Sequence, residues 1–145
     1  EVRLMSAYFV TCTSFEKDEN GKVTVVHCTY DPETKSGSGF NGRKVKGTIH
    51  WVSAEHAGQV ECRLYENIVD EEKGKLNADG TLNLNPNSKT VTMAYVEPAL
   101  MEARAYDSFQ FVRNGFYCVD CKDSEEGKPV YNRIVSLKSS FRLPK

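Results

Sequence analysis

The chain has 145 residues, of which 19 are basic and 20 are acidic, so its formal net charge is −1. Its length can bury one sizeable core or two small ones. The balanced charge argues against a general nucleic-acid coat protein, which carries a clear basic excess, so RNA contacts must come from local patches. No apolar run reaches the roughly 20 residues that cross a bilayer. The 5 cysteines occur without a secretory signal, which argues against a disulfide framework.

The first part of the chain is predicted to form a hairpin followed by a loop. Residues 2–15 and 22–30 are rich in β-branched and aromatic residues, and Asn20-Gly21 between them is a strong signal for a tight turn. Residues 31–42 contain a proline and several glycines and are predicted to be a loop. Since the strand-like pattern starts at Glu1, we expect the sequence to be a piece of a longer protein.

Residues 41–52 show the clearest alternation in the chain and are predicted to be a half-buried strand. One face should anchor Trp51 in a core, and the other should expose Lys44 and Lys46. Ser53 is then predicted to cap a short helix over residues 54–57.

The second half of the chain is predicted to contain further strands and one more short helix. The helix is expected over residues 98–106, with Pro98 at its first position. Asp79-Gly80 signals a tight hairpin inside the polar segment 70–87. The predicted strands cover residues 60–65, 89–96, 109–119 (interrupted near Asn114-Gly115) and 130–137.

Signals for catalysis or metal binding are weak. Cys118 and Cys121 have the spacing of half a zinc site, but no second ligand pair accompanies them. His27, His50 and His56 lack recognisable catalytic partners. No glycine-rich phosphate loop, nucleophile elbow or paired-carboxylate signature is present. We therefore predict no metal, no cofactor and no catalytic residue for this chain.

Two clusters could contact RNA. The first consists of Lys35, Arg43, Lys44 and Lys46; such a cluster is usually a solvated face, yet lysine also binds phosphates as a mobile point charge without reading bases. The second is the segment 109–113, Phe-Gln-Phe-Val-Arg, which offers planar polar groups and aromatic rings of the kind that read unstacked bases. An ordinary strand with its two phenylalanines in the core is the simpler explanation of that segment.

Several motifs occur in a fixed order that covers nearly the whole chain. They are Val2-Arg3-Leu4, Cys28-Thr29-Tyr30-Asp31, Gly42-Arg43-Lys44-Val45-Lys46-Gly47, His50-Trp51-Val52-Ser53, Arg63-Leu64-Tyr65, Phe109-Gln110-Phe111, Cys118-Val119-Asp120 and Asn132-Arg133. Together they resemble the C-terminal anticodon-binding region of the glutaminyl-tRNA synthetases. The runs that begin at Cys28 and His50 look more like the glutamine enzymes than the related glutamate enzymes.

The resemblance implies an all-β fold of two small β-barrels with short helices. Residues 1–48 would belong to the proximal barrel, residues 49–124 would form the distal barrel, and residues 125–145 would return to the proximal barrel.

The resemblance also implies the roles of individual residues. Gln110 and Arg113 would recognise the middle anticodon base, and Arg3 would face the anticodon. Family members commonly carry a second arginine two residues after Arg3, where this chain has Met5. A further family arginine, in the stretch that begins at Arg63, is also replaced. Because residues three apart on a regular strand face opposite sides, we predict that the chain bends or bulges between Phe111 and Gly115 so that Gln110 and Arg113 can share one base.

The implied partners are the anticodon loop of tRNA(Gln) and a catalytic domain of the same polypeptide, in a cytoplasmic monomer with no membrane contact. The parent enzyme would use ATP and Mg²⁺, but the family's His-Ile-Gly-His and Lys-Met-Ser-Lys-Ser signatures are absent from this chain. Three alternatives remain open: the equivalent domain of a glutamyl-tRNA synthetase, a barrel that binds another structured RNA, and a barrel that binds no nucleic acid.

Overall fold

The computed structural model describes residues 1–70 and 72–137. These residues form nine β-strands and two short 3₁₀ segments, which confirms the all-β class. The chain divides into two compact units, Glu1–Trp51 and Val52–Lys145, and each contains one sheet. Among the described residues, no helix has the length and apolar character needed to cross a bilayer.

The first unit contains a four-stranded sheet in the order β3-β2-β1-β4. The strands are β1 (Val2–Leu4), β2 (Phe9–Lys17), β3 (Val23–Asp31) and β4 (Thr48–Ile49). β2 pairs antiparallel with β1 and β3, and β1 pairs parallel with β4. The 3₁₀ segment Pro32–Thr34 follows β3.

The predicted turn at Asn20-Gly21 is confirmed. The carboxylate of Asp18 accepts hydrogen bonds from the backbone N–H groups of Asn20 and Lys22 at 2.9 Å each. Gly21 has a φ of +78°, a left-handed conformation that glycine adopts without steric cost. This turn closes the long β2–β3 hairpin.

The β2–β3 hairpin has one apolar face that is mostly exposed. Residues Tyr30, Cys28 and Val26 alternate along β3 and lie on the same side, opposite Val10, Cys12 and Phe15 of β2. We call these six residues the apolar hairpin face. The other face is more polar and carries a hydrogen bond of 2.7 Å between His27 Nε2 and Glu16 Oε1. A register shift between Cys12 and Ser14 marks a bulge in β2.

The long strand predicted over residues 41–52 is wrong, because only β4 forms there. β1 is three residues long and begins at Val2, so within the described residues it offers no partner to the chain before Gly47. Trp51 is 43% exposed rather than buried, and its indole N–H donates to the carbonyl of Met5 at 3.0 Å. The helix predicted after Ser53 is instead a single turn, closed by the Ala57 N–H donating to the Ser53 carbonyl.

The second unit contains a five-stranded sheet in the order β6-β5-β9-β8-β7. The predicted strands over 60–65 and 89–96 are confirmed, and Pro98 begins a 3₁₀ segment, Pro98–Glu102, that is shorter than the predicted helix. The strands are β5 (Gly58–Tyr65), β6 (Lys89–Val96), β7 (Ser108–Phe111), β8 (Gly115–Val119) and β9 (Val130–Ser136).

The core of the second unit surrounds Tyr131, which is fully buried. Its hydroxyl donates to the carbonyl of Leu100 at 2.6 Å, and burial raises its pKa to about 12. Val60, Cys62 and Val119 pack in the same cluster. This core fixes β5, β8 and β9 against the 3₁₀ segment.

The last strand, β9, belongs to a different sheet from the one predicted. Residues 125–145 are predicted to return to the first barrel, but β9, the described strand of that segment, lies between β5 and β8 of the second sheet. Residues 138–145 of that prediction lie outside the described residues. The reason is that Val130 and Tyr131 are both buried, and their registers with Glu61 and Cys62 place Tyr131 in the second core. The closure of either sheet into a barrel, and the assignment of proximal and distal barrels, stay predictions.

The polar segment between β5 and β6 forms small ladders. Isolated bridges join Val69 with Leu84 and Leu76 with Leu82. Gly80 has a φ of +81°, and the Asn77 N–H donates to the carbonyl of Thr81 at 2.8 Å. The predicted tight turn at Asp79-Gly80 is therefore confirmed.

Candidate nucleic-acid interface

Arg3 is held by an aromatic ring and a hydroxyl group. Its guanidinium lies 4.3 Å from the centroid of the Phe9 ring, and Nη1 donates to Ser36 Oγ at 2.9 Å. Ser36 Oγ in turn donates to the carbonyl of Ala7 at 3.1 Å. Phe9 is only 2% exposed, so the ring is a rigid support. The arrangement fixes the plane of a half-exposed guanidinium, which is a fork of donors suited to phosphate or a base edge.

Arg43 is already paired with two carboxylates. Its Nη2 lies 2.6 Å from Glu1 Oε1 and 2.8 Å from Asp31 Oδ2, and its Nε donates to Glu1 Oε2 at 3.0 Å. The guanidinium also lies 5.6 Å from the Phe40 ring centroid. The hydrogen bonds from Arg43 lower the pKa values of both carboxyl groups. Its charge is thus locally balanced, and its main contact is with the ends of β1 and β3.

Lys35, Lys44 and Lys46 are exposed, and none of the three side chains forms a hydrogen bond or an ion pair with the described residues. Lys35 caps the C-terminal end of the 3₁₀ segment, next to the Ser36 that contacts Arg3. Lys44 and Lys46 lie in the irregular chain before β4. Unlike Arg43, these three cations remain available to phosphates.

Gln110 lies on the exposed face of β7. Phe109 and Phe111 on the opposite face pack against the core; the Phe111 ring stacks on Tyr117 with centroids 4.3 Å apart. Gln110 is exposed and pairs across the ladder with Phe116. The core thereby fixes the strand that presents the Gln110 amide to solvent.

Arg113 does not lie on a strand. Residues 112–114 form a tight turn in which the Asn114 N–H donates to the carbonyl of Phe111 at 2.8 Å, and Arg113 has a φ of +65°. The chain bends between Phe111 and Gly115, as predicted, but it bends as a complete reversal. The predicted strand over residues 109–119, interrupted near Asn114-Gly115, is therefore two antiparallel strands, β7 and β8, and not one strand with a bulge. At Gly115 a Cβ would lie 2.8 Å from the Val135 carbonyl oxygen, and this close approach explains the glycine. On a regular strand, Gln110 and Arg113 would point to opposite faces of the sheet. That restriction does not apply here, because Arg113 lies in the turn between β7 and β8.

Phe116 is a candidate that the sequence analysis missed. It is 40% exposed and lies directly opposite Gln110 on the neighbouring strand. Its neighbour Tyr117 is 5% exposed, so the two adjacent aromatic residues face opposite sides of the sheet. The adjacent pair Phe116-Tyr117 could have indicated an exposed aromatic residue from the sequence, because neighbouring residues of a strand point to opposite faces and cannot both enter one core.

Ion pairs and hydrogen bonds connect β5, β9 and the segment after β8 in the same sheet. Arg63 is 12% exposed, and its guanidinium pairs with Glu61 at 2.6 Å and with Asp123 at 2.5 Å. Asp120 accepts a hydrogen bond from Asn132 Nδ2 at 2.7 Å. That bond, together with backbone N–H donors and the charge of Arg63, lowers the pKa of Asp120 to about 2. Asp120 and Asn132, which the resemblance highlighted, therefore have structural partners.

The described residues contain no group of three or more histidine, cysteine or acidic side chains that could hold a metal ion. Cys118 lies on β8 opposite Ser108 and Asn132, and Cys121 is exposed beyond that strand.

Two models of known protein families match the chain. Residues 48–120 match the family model described as tRNA synthetases class I (E and Q), anti-codon binding domain, and residues 1–31 match a second model of the same description.

The chain is also similar to glutamine–tRNA ligases. It is 51% identical to that of Clostridium perfringens over 99% of this chain and 26% of the relative. It is 53% identical to that of Clostridioides difficile over 98% of this chain and 26% of the relative. The ligase of Nitrosomonas europaea is 46% identical over 98% of this chain and 26% of that protein. The chain thus spans about a quarter of the length of these relatives, and it belongs to the anticodon-binding domain family of the class I tRNA synthetases for glutamate and glutamine.

Proposed function

We propose that this chain is the anticodon-binding region of a glutamine–tRNA ligase and that it binds the anticodon loop of tRNA(Gln). The observation that carries the proposal is the identity of about half of its residues with glutamine–tRNA ligases along almost its whole length. The exposed Gln110, held on a strand whose other face is locked in the core, supplies a group that can read a base.

The middle anticodon base is read by Gln110 and Arg113 in this proposal. Uracil presents two carbonyl oxygens and one ring N–H, so a selective site needs donors and an acceptor. The amide of Gln110 offers both, and the guanidinium of Arg113 offers a planar fork of donors. Phe116 opposite Gln110 adds an aromatic surface on which an unstacked base can lie. The exposure of all three residues and the register of Gln110 opposite Phe116 support these contacts.

The phosphate backbone is contacted by Arg3, Lys35, Lys44 and Lys46. Lysine contacts position the RNA without choosing its sequence. For Arg43 we propose a positioning role, because its guanidinium is engaged by Glu1 and Asp31. The exposed lysines then supply the local positive charge that the balanced composition does not.

The remaining properties belong to the parent protein in this proposal. A catalytic domain outside this chain would join glutamine to tRNA(Gln) with ATP and Mg²⁺, in a cytoplasmic monomer. The described residues contain no group of three or more histidine, cysteine or acidic side chains that could hold a metal ion, and we place no step of the reaction on them.

A glutamyl-tRNA synthetase is the second candidate, because the matching family model covers both enzymes. A filter-binding titration of this chain with anticodon stem-loops of tRNA(Gln), tRNA(Glu) and an unrelated tRNA separates the possibilities. We expect the tightest binding to the tRNA(Gln) stem-loop. Preference for the tRNA(Glu) stem-loop would favour the second candidate, and equal binding to all three would contradict anticodon recognition.

A further inference from the structure

Cys12 and Cys28 face each other across the β2–β3 hairpin. They are direct partners in the antiparallel register, and both are exposed free thiols. The Cα atoms of direct antiparallel partners lie about 4.5–5.5 Å apart, within the range of about 4.4–6.8 Å that a disulfide bridges. Direct partners also point to the same side of the sheet, so the two thiols share one exposed face of the hairpin.

From this juxtaposition we propose that Cys12 and Cys28 form a reversible dithiol–disulfide site that links the two strands of the hairpin. The inference is independent of the proposed function. It also differs from a disulfide framework, since one cross-strand bond forms and breaks in the folded protein with the redox state of its surroundings.

The other cysteines lack this geometry. Cys62 is 2% exposed, and burial raises its pKa to about 11, which suppresses the reactive thiolate. Cys118 has Ser108 and Asn132 as its cross-strand partners, and Cys121 lies outside the strands. Among the described cysteines, Cys12 and Cys28 are the pair placed directly opposite each other.

The bulge beside Cys12 adds a contact that fixes one thiol. Cys12 Sγ lies 3.7 Å from the carbonyl oxygen of Ser14, and the register shifts between these residues. Three residue pairs away, Phe9 and Asp31 are direct partners at the base of the hairpin. Phe9 supports the Arg3 guanidinium and Asp31 pairs with Arg43. A bond between Cys12 and Cys28 would therefore tie together the strands that carry these supports.

The oxidant is a low-molecular-weight disulfide, such as oxidised glutathione. One protein thiolate attacks a sulfur atom of that disulfide, which forms a mixed disulfide and releases one small thiol. The second protein thiolate then attacks the protein sulfur of the mixed disulfide, forms the Cys12–Cys28 bond and releases the second small thiol. Two protein thiols are oxidised, one small disulfide is reduced, and the two protons pass to the released thiols.

The test uses the whole 145-residue chain incubated with oxidised glutathione, then alkylated, digested with trypsin and analysed by mass spectrometry. We expect a joined pair of peptides containing Cys12 and Cys28, lost on treatment with dithiothreitol. Amide hydrogen exchange in the hairpin should slow by roughly tenfold or more, because the bond closes a loop of about 15 residues.

Two variants keep the test decisive. Cys12→Ser should stop at a glutathione adduct on Cys28, since the resolving thiol is missing. A control with Cys118→Ser and Cys121→Ser should still form the joined peptides at the wild-type rate. Stable separate adducts on Cys12 and Cys28 in the wild-type chain, or unchanged thiols at both positions, would overturn the proposal.

Discussion

Replacing Gln110 with alanine tests the base-reading site. Gln110 is exposed on β7, so Gln110→Ala should change the free energy of unfolding by no more than about 0.5 kcal/mol. Loss of a good base contact costs roughly 1–3 kcal/mol of discrimination, which corresponds to about 5-fold to 150-fold in relative affinity. We expect the ratio of affinities for tRNA(Gln) and for a variant with a changed middle anticodon base to fall by that factor, as measured by filter binding.

Gln59 provides a matched control in the same sheet. It is an exposed glutamine on β5 whose cross-strand partner is the exposed aromatic residue Tyr95, so its setting resembles that of Gln110 opposite Phe116. Gln59→Ala should leave the affinity ratio unchanged. If Gln110→Ala weakens binding to both tRNAs equally, Gln110 has only a structural role and the base-reading assignment fails.

Replacing Lys44 and Lys46 with alanine should weaken all tRNAs about equally and reduce the slope of log affinity against log salt concentration by roughly 1–2; a loss confined to tRNA(Gln) would contradict phosphate positioning. Arg43→Ala should lower the melting temperature of the chain and leave that salt slope nearly unchanged, whereas a loss of slope like that of the lysines would make it a phosphate contact. The pKa of Asp120 is lowered from 3.8 to about 2, so the ionised carboxylate stabilises the fold above about pH 4, and this stabilisation is lost as the pH falls toward 2. In urea unfolding, Asp120→Asn should lower the free energy of unfolding by roughly 1–2 kcal/mol at neutral pH and make it depend less on pH in acid. A free energy of unfolding with the wild-type dependence on acid pH would refute this. Phe116→Ala should lower affinity for the anticodon stem-loop by about 5-fold or more while Phe116→Tyr retains it, and equal binding by both variants and the wild type would remove Phe116 from the site.

Local chemistry was sufficient to predict much of the fold. Asn20-Gly21 and Asp79-Gly80 formed the turns expected of residues that accept positive φ. The strand over residues 89–96 was predicted with the bounds observed for β6, because β-branched and aromatic residues fill it. These elements depend on short-range preferences that a sequence displays directly.

The elements that failed depend on distant partners. Residues 41–52 alternate like a strand, but a strand needs a neighbour, and β1 is too short to pair with more than Thr48 and Ile49. Likewise, β9 joined the second sheet because Tyr131 completes its core. Alternating apolar and polar residues indicate that a segment can form a strand, but they do not indicate which other strand it will pair with.

In the candidate site, too, the features that depend on local alternation were predicted, and those that depend on distant partners were not. The exposure of Gln110 between two core phenylalanines followed from alternation. The pairing of Arg43 with Glu1 and Asp31 did not, because its partners lie 42 and 12 residues away. Phe116 emerged only when the turn at 112–114 placed β8 beside β7.

Transplanting an anticodon loop tests the central claim most directly. An unrelated tRNA that this chain binds weakly should be given the anticodon loop of tRNA(Gln), and both forms should be titrated at one fixed salt concentration. If the chain recognises the anticodon, the transplant should raise affinity to nearly that of tRNA(Gln). An affinity that stays at the level of the unrelated tRNA would contradict the assignment of this chain to anticodon recognition.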